Sequence, residues 1–145
     1  MPGNEYAPIP QRLRKRTAAQ LRGAGFGPAA VGDLAAERVS EKVGWVRGAA
    51  AAAGRSLESF ELQLSIYLCQ VTDSASAAGT ATSAFSDLIR ADTALVENSP
   101  AVLVGTAQQC IDALCERRER FGFSYIKLGG DIEAVAPIVS RLAGR

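Results

Sequence analysis

The sequence predicts an α/β fold with a mainly parallel sheet. Residues 60–68 alternate strictly between apolar and polar side chains, residues 124–130 form a second short strand-like run, and helical stripes lie between and after them. Alternation at period two marks a strand with one buried face, a spacing of three to four marks a helix, and strands alternating with helices build parallel sheets.

The first segment stands apart. Residues 6–32 contain no acid but carry Arg12, Arg14, Lys15, Arg16 and Arg22, followed by Gly23, Gly25, Gly27 and Gly32 around Pro28. The pattern reads as a basic stretch with a short helix over 11–22, then a Gly-rich linker. It is either an arm for phosphate or nucleic acid or a solvated tail. No aromatic side chain interleaves the basic residues for base stacking, so nucleic acid is not expected as a partner. The expected organisation is a basic, poorly ordered or divergent segment over 1–32 and one α/β unit over 33–145.

Ordered pattern starts at Asp33. Leu34, Val39, Val43 and Val46, with Trp45 beside them, fall at helical spacing. Asp33 is the expected N-cap, Glu37 and Glu41 suit the positive end of the helix dipole, and Gly54 is the expected stop. The strand over 59–72 follows, with Phe60, Leu62, Leu64, Ile66 and Leu68 on one face and Glu61, Gln63, Ser65, Tyr67 and Cys69 on the other. Phe85, Leu88, Ile89 and Leu95 mark a helix or irregular helix over about 76–97, broken by Ser99-Pro100. A short apolar run, 101–104, ends at Gly105. Thr106 with Gln109 forms a capping-box pattern for a helix whose buried stripe is Cys110, Ala113, Ile111 and Leu114. Its charged end, 116–120, reads as a solvated face. Gly122 closes it, the strand over 124–130 follows, and Asp131 caps a last helix over 131–142. Ile132, Val135, Ile138, Val139 and Leu142 form the apolar side of that helix, and Pro137 lies within it.

Composition narrows the chemistry. The chain has 145 residues, 48% of them hydrophobic, so a real core is expected, and a net charge of +1 exerts no global pull on nucleic acid or acidic lipid. No apolar run reaches the length of a membrane span, and no apolar stretch follows the N-terminal basic residues to make a secretory signal, so a cytoplasmic location is expected. Three cysteines without a CxxC pair argue against a disulfide framework or zinc knuckle. The absence of histidine removes the commonest general base and metal ligand, so no metal is expected and catalytic residues are not identified.

Several motifs carry a family resemblance. Ser99-Pro-Ala-Val-Leu-Val-Gly-Thr106, Gln109-Cys-Ile-Asp-Ala-Leu114, Arg117-Arg-Glu-Arg-Phe-Gly-Phe-Ser-Tyr-Ile126 and Ala134-Val-Ala-Pro-Ile-Val-Ser-Arg-Leu-Ala-Gly144 follow one another in order. With Glu41-Lys-Val-Gly-Trp-Val-Arg47 and the long strand, they resemble the C-terminal portion of the luciferase-like monooxygenases, over about residues 35–145. The resemblance implies part of a (β/α)8 TIM barrel. The strand at 60–71 would be its seventh, that at 124–129 its eighth, and 102–106 part of the insertion between them. It also implies a flavin- or deazaflavin-dependent oxidoreductase, working by hydride transfer or monooxygenation on a small-molecule substrate, with deazaflavin (coenzyme F-420) or FMN as cofactor. A Gly-rich Ile-Gly-Gly-Gly-Gly loop, which the family carries after its sixth strand, is not found in residues 3–33. The stretch in its place is a divergent end, a truncated gene or the product of a shifted reading frame; a truncated form is expected, inactive alone, that self-associates or takes the missing barrel strands from a partner. The alternative is a non-catalytic remnant or interaction module that uses exposed barrel edges.

The active face of such barrels lies at the C-terminal ends of the strands, here Gln70-Val-Thr-Asp73 and Leu128-Gly-Gly-Asp131. Gly129 and Gly130 would let a phosphate or isoalloxazine ring approach the backbone at a helix N-terminus, or else simply make a tight strand-to-helix turn. Tyr125 and Lys127 point to the barrel centre if Ile126 and Leu128 face the helices. Gln63 and Tyr67 are the matching pocket candidates on the other strand. Lys127 pairing with Glu61, or with an acid on a missing strand, is the competing reading.

Overall fold

The computed structural model describes residues 28–144, so the expectations for residues 1–27 lie outside the described residues. The described residues open with a short helix, α1 (Pro28–Asp33), and continue through α2 (Ala36–Ala52) and a 3-10 turn (Leu57–Ser59). Then come β1 (Leu62–Ser65), β2 (Leu68–Val71), α3 (Ala75–Ile89), α4 (Thr93–Glu97), β3 (Val102–Gly105), α5 (Ala107–Phe121), β4 (Phe123–Lys127) and α6 (Ile132–Leu142).

All strand pairing is parallel. β1 pairs with β4, and β2 pairs with β3. Ile66 N–H donates to Lys127 O at 3.0 Å, and the next residue, Tyr67, donates to Ala101 O at 2.8 Å. Successive N–H groups on a strand point to opposite sides. β1 and β2 are thus two halves of one strand path, with β4 along one side and β3 along the other. The fold is α/β with small parallel sheets, and the described strands do not close a barrel.

The strand over 59–72 is therefore not one regular element. The change of partner at residues 66–67 shifts its alternation by one residue. Leu64 and Ile66 are buried in the core, whereas beyond the break Cys69 and Val71 face the core and Leu68 does not belong to it. The apolar pattern of the sequence runs on through Leu68; the backbone does not.

One helical layer, α2, α5 and α6, covers the core side of the sheet. Val39, Val43, Leu64, Ile66, Leu103, Leu114 and Ile138 are among its buried members. Burying one such side chain stabilises by about 1.5–3 kcal/mol. α5 lies against β3, β4, α2 and α6, and so ties the two ladders together. Its start is a complete capping box: Thr106 Oγ1 accepts from Gln109 N–H at 3.3 Å, and Gln109 Oε1 accepts from Thr106 N–H at 2.9 Å. Gly122, with φ +80°, closes it in the left-handed region that glycine tolerates.

Four expectations change in detail. Asp33 does not cap α2; the residue before α2 is Ala35, which has no side-chain cap. Val31 extends the apolar stripe backward and is buried, so α1 forms and Asp33 ends it, its carboxylate pairing with Arg38 and Lys42. The stretch 76–97 splits at Arg90, which takes φ +55° and ends α3; Asp92 then caps α4 through Ala94 N–H. The charged end of α5 is not wholly solvated: Arg117 is 8% exposed. On α6, Ile138 is buried, but Ile132 is 82% and Val139 48% exposed, so its apolar side is only half covered. Pro137 sits inside this helix without ending it. Among the described residues, no helix is long and apolar enough to cross a membrane.

Candidate functional site

The register of the β1–β4 ladder places the candidate residues. Gln63 pairs with Tyr125, Ser65 with Lys127, and Leu64 with Ile126. Side chains at paired positions share a face and alternate along each strand. Leu64 and Ile126 pack into the helical layer. Gln63, Ser65, Tyr125 and Lys127 therefore share the opposite face, and Gln63, Tyr125 and Lys127 are exposed there. Tyr67, 56% exposed, follows just beyond β1, at the point where the strand path changes partner. The structure thus assembles amide, phenol and ammonium groups on one face. Among the described residues Lys127 forms no ion pair, with Glu61 or any other acid. An unpaired cation beside a phenol and an amide is suited to binding a planar, electron-rich heterocycle through hydrogen bonds and charge.

The Gly129-Gly130 turn behaves differently. Gly130 has φ +88°, and a Cβ built on it would lie 2.8 Å from Cys69 O. Its close backbone approach is therefore to the chain's own β2. Asp131 Oδ1 accepts from Glu133 N–H at 2.9 Å, so α6 begins with its own carboxylate cap and a second acid in its first turn. Two carboxylates where the helix dipole would attract an anion disfavour a phosphate there. Gly129 is open, with nothing within 4 Å of an added Cβ, and so leaves space beside the polar sheet face.

Beneath the turn lies a group that pattern reading passed over. Arg117 Nη2 donates to Val102 O at 2.6 Å, while Nη1 is buried without a hydrogen-bond partner. Burial lowers the Arg117 pKa from its usual value. Burial raises the thiol of Cys69, opposed by a hydrogen bond from the Gly129 backbone and the Arg117 charge. Burial likewise raises Cys110, whose Sγ lies 3.6 Å from Gly105 O. Protonated, desolvated thiols are poor nucleophiles, so these cysteines are structural. The sequence did hold the signal: 110, 114, 117 and 121 form one helical stripe, and the charges around Arg117 obscure it.

A cleft of about 690 Å³ opens between α5, β4 and α6, floored by Leu114, Ile126, Ile138 and Leu142. Among the described residues no group of three histidine, cysteine, aspartate or glutamate side chains is placed to hold a metal. Comparisons with protein-family models, with curated proteins and with solved structures return no match.

Proposed function

We propose that this chain is the C-terminal part of a luciferase-like, flavin- or deazaflavin-dependent oxidoreductase, and that Gln63, Tyr67, Tyr125 and Lys127 form one wall of its cofactor and substrate pocket. One observation carries the reading: the parallel β1–β4 ladder buries Leu64 and Ile126 under helices while turning Gln63, Tyr125 and Lys127 to the other face. Helices packed on the outward face fit the strand–helix alternation of such a barrel, and the polar residues turned the other way would line its pocket.

The bound ring, FMN or F-420, would supply the hydride chemistry. The chain's own residues supply position and charge. Lys127 would place an ammonium beside an electron-rich ring edge, and Gln63 and Tyr125 would donate and accept hydrogen bonds in its plane. The phosphate-bearing tail fits poorly at α6, where Asp131 and Glu133 occupy the helix start. Tail binding therefore falls to strands outside this unit, and the chain alone binds weakly and does not turn over substrate.

Fluorescence titration of the purified chain with FMN and with F-420 tests this reading. Saturable binding, weakened about tenfold by Lys127→Ala, is expected; that factor corresponds to about 1.4 kcal/mol. Absence of saturable binding for both cofactors overturns it and favours a non-catalytic interaction module.

A further inference from the structure

The outer edge of β4 has no strand partner among the described residues, which pair β4 with β1 alone. Ile66 N–H donates to Lys127 O, so Lys127 and Tyr125 turn their backbone groups toward β1. By alternation the N–H and C=O of Ile126 point to the outer edge. Behind that edge the cleft between α5 and α6 continues the apolar surface, and Val139 on its wall is 48% exposed. An open strand edge beside an apolar cleft is a template for adding another strand.

We infer that a second copy of this chain docks here, with the two β4 edges antiparallel about a two-fold axis. The placement of charge selects this occupant. Both α5 and α6 run back from the C-terminal ends of the strands toward their starts, since α5 follows β3 and leads into β4, and α6 follows β4. Asp112 lines the upper part of the cleft, while Arg118 and Arg141 line its lower end. A two-fold axis across β4 sets the upper end of one copy beside the lower end of the other. Asp112, whose Oδ1 accepts from Gln108 Nε2 at 2.8 Å within its own copy, then comes toward the end that carries Arg141 of the partner subunit, twice over. The acids at the start of α6, Asp131 and Glu133, likewise come toward the partner end that carries Arg141. An isologous interface needs a patch that is its own complement, and this one carries apolar floor, backbone donors and acceptors, and both signs of charge. Ser124, beside the irregularity in the β1–β4 register, keeps the shared ladder short, so the cleft supplies most of the buried area.

Tyr125 and Ser124 also line this cleft, so the two readings meet at β4; they are separated by the positions varied, since neither Val139 nor Asp112 belongs to the polar sheet face. Sedimentation velocity of the full chain across a dilution series tests it. A reversible dimer is expected. Val139→Arg, at an exposed position, and Asp112→Arg should each weaken it by about tenfold or more, with the circular dichroism spectrum unchanged. Asp112→Arg combined with Arg141→Asp should restore part of the loss. A monomer at every concentration overturns the inference, as does a dimer indifferent to both single variants. Failure of flavin binding leaves the dimer prediction untouched, and a monomer leaves the cofactor prediction untouched.

Discussion

Gly130 and Gly129 are neighbours with different physical roles, and substitution separates them. Gly130→Ala combines a left-handed backbone with a contact of 2.8 Å to Cys69 O, so something must shift. It should destabilise the chain by about 1–3 kcal/mol in denaturant melts. Gly129→Ala meets nothing within 4 Å and should stay within about 0.5 kcal/mol. Its effect is expected in flavin titration instead, if the ring lies over this turn. Arg117 is the other residue whose role a substitution exposes. Its charge is buried with one nitrogen unpartnered, so Arg117→Met, which keeps the volume but also removes the donor to Val102 O, should cost less than Arg117→Ala. Arg117→Ala leaves a cavity and strands Val102 O, and should cost about 2 kcal/mol or more. The two thiols give a pH signature. Cys69 and Cys110 hold their protons above the ordinary thiol range when folded, so the unfolded chain releases them first as pH rises. Their contribution to stability is complete below the ordinary thiol pKa and is lost as pH climbs through the folded values. The alkaline fall of the urea midpoint should shrink in the Cys69→Ala, Cys110→Ala double variant.

Among the elements, α5 joins the two ladders, so its cap has effects beyond one turn of helix. Thr106→Ala removes a hydroxyl that holds Gln109 N–H and should cost about 1 kcal/mol, read as a lowered urea midpoint with unchanged slope. The same element shows where pattern reading works. Thr106, Gln109 and Gly122 are legible because caps depend on residues three positions apart and on one left-handed site. Asp131 is legible for the same reason. The break at 66–67 is not, because it arises from β3 and β4 claiming opposite sides of the strand, an arrangement set by residues more than thirty positions away. Asp33 misleads for a related reason: Val31, Ala35 and Ala36 are all buried, and packing across the α1–α2 join displaces the cap the local sequence favours.

In the molecule as a whole, alternation made legible which face of each strand is polar, but not which strands pair. Alternation puts Tyr125 and Lys127 on one face of their strand and Gln63 on the polar face of its own; the parallel register that joins the two faces is a contact between strands distant in the sequence. The cleft beside β4 was not legible, since it exists only where α5 and α6 diverge over an open edge. A polar face for cofactor and an apolar cleft for a second copy meet at β4, where Tyr125 belongs to both. Hydrogen exchange of the full chain with and without saturating FMN or F-420 tests the central claim most directly. Added protection is expected at the amides of Gln63, Tyr125, Lys127 and Gly129, with helices α5 and α6 unchanged. Protection confined to those helices, or no change anywhere at saturating cofactor, would contradict that claim.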